Sequence, residues 1–236
     1  MDKKRNPYAG HRYPTEIICH AVWCYFRFTL SFRDVEEILA SRGVIVSYEA
    51  IRQWTLKFGQ AYANTLRRRQ PRRGDTWHLD EVVLTMNGRY RYLWRAVDQD
   101  GYTLDILLQS RRDRHVAKRF FRKLLKGLCY VPRVIVTDKL KSYGAAKRDI
   151  MPGVEHRQHK GLNNRAELSH QPTRQKERQM RGFKSPKQAQ QFLSVHAHIG
   201  NLFRIRHRHT SVAGYRVARR QAYEAWKEAT CAPRVA

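Results

Sequence analysis

Three carboxylates stand apart in this strongly basic chain: Asp80 in Thr76-Trp77-His78-Leu79-Asp80-Glu81, Asp138 closing Val134-Ile135-Val136-Thr137-Asp138, and Glu167 in Asn163-Asn164-Arg165-Ala166-Glu167. Lys and Arg total 47 against 20 Asp and Glu, a net charge of +27, so acids at strand ends and on a helix need a reason. Divalent cations touching a phosphodiester supply one. Hard oxygen ligands suit Mg²⁺, and paired ions stabilise both the attacking and the leaving oxygen. The trio therefore predicts a metal-dependent phosphoryl-transfer centre using Mg²⁺, with Mn²⁺ as a substitute, and a water or a DNA 3′-hydroxyl as nucleophile. Such chemistry needs no covalent enzyme intermediate. A recombinase working through serine or tyrosine needs a nucleophilic side chain, and nothing around Ser142, Tyr143 or Ser169 singles one out.

Each acid also has a plainer reading. Asp80 beside Glu81 fits a strand-edge charge, Asp138 before Lys139 a turn or cap, and Glu167 a helix-surface acid amid Arg165 and Arg174. Glu81, Asp98, Asp113 and Glu155 compete as alternatives. What sets the trio apart is its order on the elements that must position it.

Those elements begin after a polar, basic arm at 1–13. Ile17, Ile18, Ala21, Val22, Tyr25 and Phe28 recur at helical spacing behind Pro14. Ser31 caps a second helix, with Val35, Ile38 and Leu39 inward and Gly43 as its stop. A third helix starts at Ser47, its inner face Ile51, Trp54 and Phe58, its outer face Tyr48, Glu49, Arg52, Gln53 and Lys57. Two helices joined by a short turn, the latter carrying exposed polar and basic groups, predict a helix-turn-helix that contacts DNA. An ordinary helical bundle is the competing reading.

Arg67, Arg68, Arg69, Arg72 and Arg73, punctuated by Pro71 and Gly74, read as a linker able to lie on phosphate. Beyond it the apolar period changes to that of strands. Asn87-Gly88 and Asp100-Gly101 divide 76–109 into three runs, an antiparallel meander. Val116, Ala117, Phe120, Phe121, Leu124 and Leu125 outline a helix that Gly127 can end, and Val134 to Val136 form a short, wholly apolar strand. A crossover helix followed by such a strand implies parallel pairing inside the sheet. Residues 141–150 predict a helix, Val154 to Gln158 an edge strand, and Ala189, Phe192, Leu193, Ile199 and Phe203 a long closing helix. Along one strand Tyr90, Tyr92 and Trp94 alternate with Arg91 and Arg95, and the aromatics are expected inside. The element order is that of ribonuclease H: α/β, a mixed five-stranded sheet with helices on both faces, behind an all-α helix-turn-helix domain. With Asp80 on the first strand and Asp138 at the carboxyl end of the fourth, the two can share a metal, and Glu167 must reach them from a helix. Arg174, Lys176, Arg178, Arg181, Lys184 and Lys187 follow Glu167 as a stripe suited to DNA backbone phosphates.

Charge and length frame the rest. At 236 residues the chain can bury a sizeable core. The spread of Lys and Arg through the chain implies a polyanionic partner whose binding weakens with salt. No basic amphipathic helix with a clean apolar face argues for a membrane partner. Cys19, Cys24, Cys129 and Cys231 show neither CxxC spacing nor disulfide density, so reduced thiols in the cytoplasm are expected. The close pairs His156/His159, His196/His198 and His207/His209 lack matching thiolates for zinc. No signal peptide or apolar run of ~18 residues is seen.

At the acids the chain resembles a known family. Trp77-His78-Leu79-Asp80-Glu81, Arg91-Tyr92-Leu93-Trp94-Arg95-Ala96-Val97-Asp98, Val136-Thr137-Asp138-Lys139, Glu155-His156-Arg157-Gln158, Asn163-Asn164-Arg165-Ala166-Glu167 and Gly182-Phe183-Lys184-Ser185, in that order, resemble the DDE transposases of bacterial IS6-type insertion sequences. The resemblance implies that Asp80, Asp138 and Glu167 are the catalytic, metal-holding triad and that the amino-terminal helices recognise terminal inverted repeats. It also implies replicative transposition: donor strands are nicked, the freed 3′-hydroxyls attack target DNA, and host replication completes a cointegrate in a bacterial, nucleoid-associated setting. The interval between Asp138 and Glu167 is shorter than in many relatives, near Met151-Pro152-Gly153.

The expected organisation is an arm at 1–13, a helix-turn-helix domain at 14–66, a basic linker at 67–75, a ribonuclease H-like DDE domain at 76–207 and a basic tail at 208–236. Because two DNA ends must be joined, a homodimer or larger assembly on DNA is expected. A non-catalytic DNA-binding regulator and a nuclease of the same fold remain the competing functions.

Overall fold

The computed structural model describes residues 6–69, 74–138, 140–159, 161, 163–205 and 211–231, with Arg165 through its backbone alone. They fall into two compact units, one of residues 1–70 with 198–236 and one of residues 71–197.

In the first unit, α1 (Thr15–Arg27), α2 (Phe32–Ala40) and α3 (Tyr48–Arg69) pack on one another. Ser31 and Asp34 form a reciprocal capping box, each side chain accepting from the other's backbone N–H, so α2 starts where its first orphan donors are satisfied. Gly43, at φ +76°, makes the left-handed turn that carries the chain toward α3. Helix α3 runs farther than expected, taking in Arg67, Arg68 and Arg69, because arginine is a good helix former and the buried Tyr62, Ala63 and Leu66 continue the inward face up to them. The segment read as a tail contains α9 (Val212–Thr230), whose Ala222, Trp226 and Thr230 are buried one turn apart. Trp226 meets Tyr62 edge to face at 5.4 Å.

The second unit is built on a sheet in the order β3-β2-β1-β4-β5: β1 (Thr76–Met86), β2 (Arg89–Asp98), β3 (Thr103–Gln109), β4 (Val134–Thr137) and β5 (Glu155–Gln158). β1, β2 and β3 pair antiparallel, while β4 pairs parallel to β1 and β5 parallel to β4. The first hairpin closes at Asn87 and Gly88, both at positive φ, as a type I′ turn requires. Asp98 ends β2 and accepts the backbone N–H groups of Asp100 and Tyr102, fixing the second turn.

Because strand side chains alternate, β1 sends Trp77 and Leu79 to one face. There they join Trp94, Ala96 and Leu104 beneath α4 (Arg114–Leu128) and α5 (Lys141–Ile150), with Phe120, Phe121, Leu124, Tyr143 and Ala146 filling the layer. Asp113 caps α4 through Val116 N–H, and the helix runs past Gly127 to a left-handed Cys129. The opposite face is covered by α6 (Asn164–Ser169) and α7 (Gln171–Gln179), followed by α8 (Pro186–Leu202), whose Gln190 accepts the Leu108 N–H of the edge strand. Both faces are thus buried at the middle of β2: Trp94 lies in the core layer, and Arg95, on the other side, is 3% exposed and donates to the Ser169 carbonyl and Thr173 Oγ1. Of the three aromatics expected inside, Tyr90 instead stands 66% exposed, next to the Asn87-Gly88 turn. This is a ribonuclease H-like sheet preceded by three helices. No helix among the described residues is long and apolar enough to cross a membrane.

Candidate active site

Parallel pairing of β1 with β4 sets the geometry. Leu79 is registered with Thr137, so Asp80 and Asp138 are the next residues along two adjacent strands that run the same way. Oxygens of Asp80, Glu81 and Asp138 lie within 4.8 Å of one another. Glu167, in the first turn of α6, is exposed and stands outside that group. Its helix is nonetheless held against β1 and β2, and Asn163, just ahead of the helix, donates from Nδ2 to the Leu79 carbonyl at 2.9 Å.

Asp80 projects toward α6 and α7, where His170 Nε2 meets its Oδ2 at 3.1 Å. A carboxylate can only accept, so the imidazole donates from Nε2. Burial holds the His170 ring below the usual histidine pKa, with Asp80 pulling it partly back. Asp138 Oδ1 accepts the Leu140 N–H at 3.0 Å, which fixes the turn leaving β4.

Glu81 was one of several competing acids in the sequence, and its place here was missed. It points to the face opposite Asp80, with its side chain only 2% exposed. Tyr143 donates to its Oε2 at 2.8 Å and Arg112 Nε to its Oε1 at 2.5 Å. Arg112 also lies 3.6 Å from Asp138 Oδ2, so one guanidinium spans two of the three acids. Burial pushes the Glu81 carboxyl up, opposed by the Tyr143 hydrogen bond. A signal was available: Trp77, Leu79 and Glu81 share one strand parity, and two apolar residues mark that face as core. The other competing acids have structural posts. Asp98 braces a turn, Asp113 caps α4, and Glu155 pairs with Arg157 at 2.6 Å.

The residues expected on DNA divide by exposure. On α3, Tyr48, Gln53 and Lys57 are exposed, and Arg52 is bound through two nitrogens to Glu49, which also accepts from Gln53 at 2.8 Å. Arg68 and Arg69 are exposed at the end of that helix and Arg67 is half-buried, while Arg72 and Arg73 lie outside the described residues. In the second unit Arg178, Arg181 and Lys184 are exposed, and Arg174 pairs with Glu177 at 2.9 Å. Lys176 is a correction: it is 1% exposed, with its ammonium 5.8 Å from the centre of the Phe192 ring. A group so buried does not present itself to a surface phosphate. On α7 its position falls on the inward stripe with Thr173, which a reading by charge alone overlooks.

Comparison with known proteins adds an independent line. A family model described as a DDE domain, DDE_Tnp_IS240, matches residues 74–206. The transposase for insertion sequence-like element IS431mec of Staphylococcus aureus strain N315 is 31% identical over 170 residues, covering 70% of this chain and 75% of that protein. The transposase for insertion sequence element IS257 in transposon Tn4003, also from Staphylococcus aureus, has the same identity and coverage. Among solved structures, the HTLV-2 integrase catalytic core domain in complex with magnesium, in its trimeric form, aligns with a TM-score of 0.41 and 14% identity over 62% of this chain and 95% of that one. With its motifs in order, its sheet in this topology and these relatives, the chain belongs to the IS6 family of insertion-sequence transposases of the DDE type.

Proposed function

We propose that Asp80, Asp138 and Glu167 hold divalent metal ions, Mg²⁺ or Mn²⁺, and that the protein cuts the ends of an insertion sequence and joins them to target DNA. The observation that carries this reading is the pair Asp80 and Asp138 at matching positions on adjacent parallel strands, with oxygens of the two carboxylates within 4.8 Å of one another. Two carboxylates so close together repel one another; Arg112 offsets part of that charge from the Asp138 side, and a divalent cation between the two would offset the rest, carboxylates being a donor type that suits Mg²⁺. A divalent ion bound there would polarise the scissile phosphate and lower the pKa of an attacking hydroxyl.

The chain's own residues then have distinct tasks. Asp80 is kept in orientation by His170, and Asp138 by Leu140 N–H and Arg112. Such outer contacts fix ligand direction and charge. Glu81 has its oxygens committed to Tyr143 and Arg112, so it acts as the anchor of Arg112, and Glu167 supplies the third ligand from α6. The exposed α3 residues Tyr48, Arg52, Gln53 and Lys57 would read the terminal repeat. Arg68, Arg69, Arg174, Arg178, Arg181 and Lys184 would hold backbone phosphate. A homodimer or larger assembly would bring two ends together.

The test is a strand-transfer assay with a labelled duplex end, target DNA and Mg²⁺ or Mn²⁺. Asp80→Asn, Asp138→Asn and Glu167→Gln each abolish the joined product and leave the gel shift intact. Hydrolysed ends without joined strands would favour the nuclease reading. A gel shift with no metal-dependent chemistry would favour a regulator.

A further inference from the structure

Within the first unit, α1 and α9 enclose a cleft of about 240 Å³ that the catalytic reading does not use. Its walls have an uncommon composition. Trp23 and Arg27 sit one turn apart on α1, and Tyr215, Arg219 and Tyr223 line α9 at successive turns, so each helix offers aromatic rings and a guanidinium on one face. Phe203 also lines it, its ring centre 5.7 Å from that of Trp23. The arginines lie on these rings: Arg27 is 5.8 Å from the Phe203 centroid and Arg219 5.8 Å from that of Tyr215. Among the described residues no carboxylate pairs with Arg27 or Arg219. Arg220 lines the cleft as well, and burial, followed by the nearby charge of Arg219, holds Arg27 below its usual pKa.

We propose that this cleft binds one unstacked nucleotide of a DNA strand, its base against the Trp23, Tyr215 and Phe203 rings and its phosphate between Arg27 and Arg219. A nucleotide is the occupant that supplies both a planar π-face and an anion, and every base has such a face, so the site would be tolerant of sequence. An apolar protein segment would fill the rings and leave the two guanidinium groups unpaired. The volume lies below the roughly 300 to 1,000 Å³ of small-molecule sites, which suits a single ring system. The inference rests on the reading that this chain handles DNA, and it adds a strand-end or distorted-duplex contact distinct from groove reading by α3.

The experiment uses the full chain at raised salt, where phosphate attraction is weakened. Binding of an oligothymidylate carrying one 2-aminopurine is compared with that of an abasic strand of equal phosphate count. The base-bearing strand binds about tenfold more tightly, the worth of one stacked base, and the reporter dims as it stacks. Tyr215→Ala and Arg219→Glu, at positions on the cleft wall outside the buried core, each erase the preference and restore the emission. Equal affinity for the two strands overturns the proposal, as does a preference or a dimming that survives both variants. Strand transfer is followed in the same preparations. A protein that joins ends without preferring the base-bearing strand loses only the cleft, and one that prefers it without joining ends loses only the catalytic reading.

Discussion

Asn163 reaches across 84 positions of sequence to donate to the carbonyl of Leu79 at 2.9 Å, one residue ahead of Asp80. This bond ties the start of the helix bearing Glu167 to the strand bearing Asp80. Asn163→Ala leaves a buried carbonyl without its donor, which costs about 1 to 3 kcal/mol. A shift of ~1 Å at a reacting centre costs on the order of 100-fold in rate, so strand transfer falls by about that much while DNA binding holds. Chemical denaturation and product yield, measured on one preparation, check both. A variant that joins DNA at the parental rate would remove Asn163 from this role.

Arg112 spans Glu81 and Asp138, and Tyr143 braces Glu81 from the core side. Tyr143→Phe keeps the ring and its edge-to-face contact with Trp94 but removes one donor to a buried carboxylate, a loss of about 1 to 3 kcal/mol. Arg112→Ala should lower strand transfer more than stability, because Arg112 is itself partly exposed and its guanidinium aligns Asp138. Denaturant midpoints and strand-transfer rates separate the two effects. Equal losses of stability in the two variants, with Arg112→Ala fully active, would show that the bridge is structural only.

Arg95 lies buried under α6 and α7, donating to the Ser169 carbonyl and Thr173 Oγ1. Arg95→Ala opens a cavity and strands both acceptors, so the second unit loses about 3 kcal/mol or more. Arg95→Lys does not rescue it, since an ammonium cannot reproduce the planar fork. Thermal unfolding of both variants gives the comparison, and a lysine variant as stable as the parent would contradict it.

Acid should weaken the fold before its exposed carboxylates titrate. Burial holds His20, His156 and His170 below the usual histidine pKa. The unfolded chain therefore takes up these protons at higher pH than the folded one. Their stabilising share is complete above about pH 6.5 and is lost as pH falls below it. Glu81 opposes this, because its raised carboxyl is protonated first in the folded protein, but it is one group against these three and His11, which burial and Lys57 lower likewise. The melting temperature drops between about pH 7.5 and about pH 5.5, and His156→Gln makes the drop smaller. A melting temperature that is level or rising over that interval would contradict the account.

How far the sequence could be read depended on whether short-range chemistry sufficed. The hairpins were legible because Asn-Gly and Asp-Gly turns demand positive φ, and Asn87, Gly88 and Gly101 adopt it. The adjacency of Asp80 and Asp138 followed from an apolar β4 after a crossover helix. Other features needed partners that local pattern does not name. Lys176 looked like one more cation in a basic stripe until Phe192 and the sheet were in place. Helix α9 was hidden by its arginines, although Ala222, Trp226 and Thr230 keep helical spacing. Glu81 stayed among the competing acids because neighbouring acids look alike in one dimension, while on a pleated strand they face opposite layers.

Partnership between β1 and β4 has a consequence for biosynthesis. The two strands meet only after both hairpins and α4 have emerged, and α6 follows later still. A nascent polypeptide on the ribosome therefore carries Asp80 well before Asp138 and the helix bearing Glu167 have been made, so the proposed centre can assemble only late in translation.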